Sequence, residues 1–193
     1  MQQYLIDNWV EITGAVLSLI YLYLSIREKA GLWIFGFFAS LLYIWVFYHS
    51  KLYAEISLQF YYLFVSVYGW ISWQQKSETT QSKVLQITTL SKNQYIPYFL
   101  GTIGVFLIYY VVLRFLTDSP VPVADSVVGS LSIIATWMLA RKKIENWLVW
   151  ILADAFACGL YFYKGLYPTA ILFVVYTVMA VVGYFQWKSN RTA

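Results

Sequence analysis

The sequence predicts an all-α integral membrane protein: seven transmembrane helices in a 3+1+3 arrangement of two parallel three-helix repeats, N-terminus out and C-terminus in. Three observations predict it. Hydrophobic residues make up 61% of the 193 and charged residues only 11%, against roughly 25% charged in an average soluble domain; a soluble chain this apolar could not cover its surface. The apolar residues fall into seven runs of spanning length. Residues 9 to 75 recur as residues 123 to 189 at a constant offset of 114, without a gap.

A helical span needs about 20 mainly apolar residues, and the seven runs cover roughly 9–27, 31–49, 55–75, 95–117, 121–140, 146–163 and 168–188. They are far longer than the roughly ten alternating residues of a membrane barrel strand. Helices are the other way to satisfy the backbone in lipid. Arg27, Glu28, Lys29 and Gly31 end the first run, and His49, Ser50 and Lys51 end the second. After the third comes a polar linker, Gln74 to Asn93. Asp118, Ser119, Pro120 and Pro122 part the fourth run from the fifth, and Arg141, Lys142 and Lys143 part the fifth from the sixth. Lys164 and Gly165 precede Pro168, whose missing N–H suits a first helical turn.

The charges orient the chain. With the N-terminus outside, the inner segments hold Arg27, Lys29, Lys76, Lys83, Lys92, Arg141, Lys142, Lys143, Lys188 and Arg191. The outer segments hold only Lys51 and Lys164, beside Asp7, Glu55, Asp118 and Asp125. That is a positive-inside bias; Arg114, near the outer end of run four, can snorkel to the interface. The net charge of +4 forms no basic face for nucleic acid. Cys158 is the single cysteine, which excludes an internal disulfide. The N-terminus shows no removable signal.

The offset of 114 carries Leu17 and Ser18 to Leu131 and Ser132, Arg27 to Arg141, Lys29 to Lys143 and Trp33 to Trp147. It also carries Ala39 to Ala153, Tyr62 to Tyr176, Gly69 to Gly183 and Trp73 to Trp187. The expected organisation is a first repeat at 1–76, a polar linker with connecting helix four at 77–120, and a second repeat at 121–193. Three helices are an odd unit, so the unmatched fourth restores the direction and leaves the repeats parallel, the SWEET-like topology. Duplication of this kind is the mark of transporters, with the substrate expected between the halves.

Chemistry is expected where the copies diverge. In run six, Trp147, Trp150, Asp154, Cys158 and Tyr161 share a helical face. Asp154 stands at mid-span, where an acid costs about 2.5–3.5 kcal/mol, and its counterpart is Ser40. In run three, Glu55, Gln59, Tyr62, Ser66, Gly69 and Trp73 form a stripe, which the second copy replaces with Thr169, Phe173, Tyr176, Ala180, Gly183 and Trp187. Gln59 and Asp154 are thus candidate polar contacts, each set against a plain interhelical bond or a simply neutralised acid. Tyr43, Trp150 and Tyr176 lie away from span ends and suit a box for a flat cation. Trp9, Tyr53, Trp73, Tyr167 and Trp187 lie at span ends and are expected in the interfacial belt. No phosphate-binding loop, metal-ligand cluster or Ser–His pair is visible in the sequence, so no ATP hydrolysis, metal, cofactor or catalytic residue is expected.

The run Asn146-Trp147-Leu148-Val149-Trp150-Ile151-Leu152-Ala153-Asp154 resembles the WxxWxxx(N/D) signature of the Pnu family of bacterial vitamin transporters. Tyr161 to Tyr167, Gly183 to Trp187 and the segments from Lys51, Gln59 and Tyr68 to Trp70 are similar to it too. The resemblance implies a seven-helix facilitator of the bacterial inner membrane, typically a homotrimer, for nicotinamide riboside or thiamine. It implies trapping of the vitamin by a cytosolic kinase. It also implies that Trp147, Trp150 and Asp154 line the site, with Gln59 carried over less directly; Tyr43, Tyr62 and Tyr176 complete the expected set. The Asp at the last signature position and the short chain favour thiamine, with nicotinamide riboside as the alternative. A seven-helix receptor, or a membrane enzyme, is the competing class, and the short loops and single mid-span acid disfavour both.

Overall fold

A computed structural model describes residues 9–49, 53–74, 85–117, 119–163, 165 and 167–192. Among the described residues seven helices follow in order: α1 Trp9–Ile26, α2 Leu32–His49, α3 Tyr53–Gln74, α4 Lys92–Leu116, α5 Pro122–Ala140, α6 Asn146–Tyr163 and α7 Tyr167–Thr192. Each coincides with one of the seven apolar runs to within a few residues, because in a chain this apolar the polar breaks leave little else to set helix ends. Asp7, Lys51, Lys76, Lys83, Asp118 and Lys164, used above to orient the chain, lie outside the described residues, as does the side chain of Glu55.

Five of the helices are long and apolar enough to cross a membrane: α2, α4, α5, α6 and the Thr169–Arg191 part of α7. The expectation of seven such spans is thereby narrowed. In α1 the apolar stretch is the shorter Ile12–Ile26. In α3, Ser57, Gln59 and Ser66 and a run of tyrosines lower the mean hydropathy.

The chain divides into two compact units, Met1–Leu85 and Gln86–Ala193. In the first, α2 packs against both α1 and α3. In the second, α4 packs on α5, α5 on α6, and α6 on α7. The contact of α4 with α5 is close at Gly129, where an added Cβ would stand 2.9 Å from the Tyr109 ring. Across the described residues most large apolar side chains on α4 face outward, Ile96, Phe99, Ile108 and Phe115 among them, as lipid contact requires.

The turns α1–α2 and α5–α6 share the same capping bonds. Glu28 and Lys142, 114 apart, both take left-handed backbone, at φ 54° and 49°. The Glu28 amide donates to Ser25 O at 3.1 Å and Lys29 to Leu24 O at 3.0 Å. In the second turn, Lys142 donates to Leu139 O and Lys143 to Met138 O, both at 2.9 Å. This is the Schellman stop, in which one left-handed residue lets the next amides cap the last carbonyls. The following helix is started in the same way twice, by Leu32 on Lys29 O and by Asn146 on Lys143 O.

The second turn also receives a strap. Thr88 donates to Lys142 O and accepts from Ile144 N, both at 3.0 Å, forming an isolated parallel bridge with Lys143. The Leu90 amide donates to Glu145 Oε1 at 2.9 Å, and Ile87 and Leu90 are buried. The end of the polar linker is thus pinned to the α5–α6 turn before α4 starts. At that start the Gln94 side chain accepts the Ser91 amide, one half of a capping box. Arg141 lies over the Trp137 ring, 4.4 Å from its centroid.

Candidate functional site

The central helix of each three-helix set presents one face to its neighbours. On α2 that face reads Trp33, Gly36, Ser40, Tyr43; on α6 it reads Trp147, Trp150, Asp154, Ala157. Spacings of three and four place the members of each set above one another.

The first rung is the same in both. Trp33 and Trp147 are each 1% exposed. Trp33 meets Trp73 edge to face, centroids 5.7 Å apart at 90°, and Trp147 meets Trp187 at 5.6 Å and 87°. Each indole lies on a glycine one helix away. A Cβ at Gly183 would stand 2.7 Å from three Trp147 ring atoms, and one at Gly69 would overlap the Trp33 ring. Trp73 and Trp187 are therefore packed inside rather than in the belt. Trp9 and Tyr167 are exposed, and the side chain of Tyr53 lies outside the described residues. The signal that could have revealed this is a glycine four residues before each tryptophan, Gly69 to Trp73 and Gly183 to Trp187.

The deeper rungs diverge. Asp154 is 6% exposed and Ser40 is 5%. Among the described residues, no hydrogen bond or ion pair engages the Asp154 carboxylate. Trp150, one turn before it, is half-buried. Gln59 on α3 is 9% exposed, and its amide likewise makes no bond among the described residues. Its counterpart Phe173 is instead an apolar plug, stacked on Tyr161 at 5.1 Å and edge-on to Tyr176 at 5.6 Å. Tyr62 and Tyr176, at matching positions on α3 and α7, are half-buried. Tyr43 is half-buried too, stacked on Phe47 at 5.6 Å, with its ring 3.4 Å from where a Cβ of Gly14 would stand.

Within the second unit the structure thus sets Trp147, Trp150 and Asp154 on one face of α6, with Tyr176 on the adjoining α7. Within the first it sets Gln59 and Tyr62 on α3, with Tyr43 on α2. A buried carboxylate in one unit and a buried amide in the other, each without a partner among the described residues, are costly, and a flat ring stands one turn from each on its own helix. Either set by itself presents a polar group beside aromatic surface, suited to a planar, hydroxylated or cationic solute. Among the described residues, no group of His, Cys, Asp and Glu could hold a metal ion.

The family described as nicotinamide mononucleotide transporter matches residues 8–189. The nicotinamide riboside transporter PnuC of Escherichia coli (strain K12) is 23% identical over 206 residues, covering 95% of this chain and 86% of that protein. The riboflavin/roseoflavin transporter RibM of Streptomyces davaonensis is 26% identical over 189 residues, covering 95% and 87%. A crystal structure of the vitamin B3 transporter PnuC shares the fold, with a TM-score of 0.78, 23% identity, and coverage of 98% of this chain and 84% of that one. The vitamins in these names are nicotinamide riboside, B3 and riboflavin; the leaning to thiamine finds no support in them.

Proposed function

The chain belongs to the nicotinamide mononucleotide transporter family, and from that premise we propose that this vitamin transporter carries nicotinamide riboside. The relatives named for nicotinamide riboside support that vitamin over thiamine, and Asp154 fits the choice. A carboxylate held at 6% exposure without a bond among the described residues suits a solute that brings both a positive charge and adjacent hydroxyls. Nicotinamide riboside brings both: the pyridinium ring is cationic, and the ribose offers a vicinal diol to two carboxylate oxygens. Thiamine is cationic but has no diol, and riboflavin has hydroxyls but no charge.

Trp150 supplies a π-face for the ring, an attraction of about 2 kcal/mol when water is excluded. Tyr43, Tyr62 and Tyr176 add aromatic surface, and Gln59 can donate and accept at the carboxamide. Trp147 borders the set from its packed position. The bound cation offsets the cost of a carboxylate at membrane depth, so affinity and burial reinforce each other.

Seven spans in a 3+1+3 arrangement, N-out and C-in in the bacterial inner membrane, complete the same proposal, as does assembly as a homotrimer. Movement down the gradient needs only alternating access, and phosphorylation by a cytosolic kinase gives it direction. Calorimetric titration of the purified protein with nicotinamide riboside, thiamine and riboflavin tests the choice. Tight binding of nicotinamide riboside is expected; tight binding of thiamine or riboflavin in its place would overturn it.

A further inference from the structure

One layer of the first unit is an inverted copy of the matching layer in the second. At Gly36 the three helices of the first unit come together: an added Cβ would stand 2.9 Å from the Tyr21 ring of α1 and 3.3 Å from Ser66 Oγ of α3. Shifted by 114, Tyr21, Gly36 and Ser66 become Ala135, Trp150 and Ala180. Where the first unit is large, small, polar, the second is small, large, small. Ala135 and Ala180 are almost fully buried, so neither side chain can reach for a solute. The ring at this level comes from the central helix in the second unit and from the outer helix α1 in the first.

We propose that Tyr21 is a specificity-determining residue, the counterpart in the first repeat of Trp150, offering its ring face to the aromatic part of the substrate. Three observations converge on it. Tyr21 lies over the glycine that stands in the place of Trp150, one turn from Ser40, the counterpart of Asp154. Ser25 and Tyr62 lie close enough to interact with its phenol, and Tyr62 belongs to the proposed substrate set. Its ring is also held edge-on by the fully packed Trp33 at 6.3 Å and 74°, a fixed orientation of the kind a recognition surface requires.

A residue that merely filled the space over Gly36 would show the same volume exchange, and the experiment separates the two. It rests on the transport reading, so ligand binding is measured first on the wild type. Calorimetry with nicotinamide riboside, thiamine and riboflavin is then repeated on Tyr21→Phe, Tyr21→Ala and the double variant Tyr21→Ala/Gly36→Ala. The midpoint of thermal unfolding is recorded for each. Tyr21→Ala is expected to lose about tenfold or more in affinity for the preferred vitamin, the size of a lost aromatic contact. Tyr21→Phe is expected to retain affinity within about threefold, since the ring rather than the hydroxyl recognises the ligand. The double variant should recover thermal stability, through the added methyl and the better helix former, without recovering affinity.

Affinity that returns together with stability in the double variant would make Tyr21 a packing residue only. So would Tyr21→Ala binding as tightly as the wild type, and a Phe variant as weak as the Ala variant would refute the ring-face role. A wild type that binds none of the three vitamins would overturn the transport reading and this inference with it; failure in the variants alone leaves that reading standing.

Discussion

Replacing Gly183 with Ala adds one methyl group at the most crowded point of the second unit. The new Cβ would stand 2.7 Å from Cδ2, Cε2 and Cε3 of Trp147, where ordinary carbon contacts are about 3.5–4.0 Å. The indole would have to retreat by close to an ångström. It has nowhere to go, since Trp147 is 1% exposed and already edge-on to Trp187 at 5.6 Å. Overpacking of this kind costs about 1–3 kcal/mol, and loosening the Trp147–Trp187 contact adds about 0.5–1.5 kcal/mol. Against that, Ala gains about 1 kcal/mol over Gly inside a helix. The net loss is about 1–3 kcal/mol. Gly104, which would meet nothing within 4 Å, is the control: its Ala variant keeps the helix gain alone. Thermal unfolding in one detergent should therefore separate Gly104→Ala from Gly183→Ala by about 4–16 °C, at roughly 2–4 °C per kcal/mol for a chain of this size. Because Trp147 borders the proposed site, vitamin affinity should fall with the melting point. A Gly183→Ala protein that melts with or above the Gly104→Ala control would refute the packing account of the tryptophan pair.

Other outcomes follow from the same geometry. Asp154→Ala should weaken nicotinamide riboside binding by about thirtyfold or more, because truncating one partner of a buried charge pair costs about 2–5 kcal/mol. Asp154→Asn, which keeps a hydroxyl acceptor, should fall between the two in the same titration. Trp150→Leu should cost up to about thirtyfold through the lost π-face, and equal affinity would leave it no part in recognition. Gln59→Phe, which writes the residue of the second repeat into the first, should keep the melting point while lowering affinity; an unchanged titration would remove Gln59 from the site. Glu145→Ala frees the Leu90 amide, and a bond to a carboxylate is worth about 1.5–3 kcal/mol. Hydrogen exchange at residues 88–90 should then quicken roughly tenfold or more, and exchange at the wild-type rate would show that the strap is held by the Thr88 bridge alone.

Helix existence and order were legible in the sequence of this protein, because lipid leaves a backbone few choices and the polar breaks were sharp. Asp154 and Gln59 were legible for a related reason. A polar side chain in an apolar run is conspicuous, and comparison with its partner 114 positions away showed that the scaffold does not need it. The family resemblance rested on residues in plain view from Asn146 to Asp154. What stayed hidden was everything set by a neighbouring helix. Trp73 and Trp187 read as belt residues, since an aromatic near a span end looks the same whether it faces lipid or protein. Only the approach of Gly69 and Gly183 to the indoles of Trp33 and Trp147 decided that they are buried. The strap from Thr88 to Leu90 on the α5–α6 turn and the packing of α4 on α5 belong to the tertiary structure too. So does the ring of Tyr21 over Gly36, because periodicity records which face of a helix a residue occupies and is silent about what the next helix places against it.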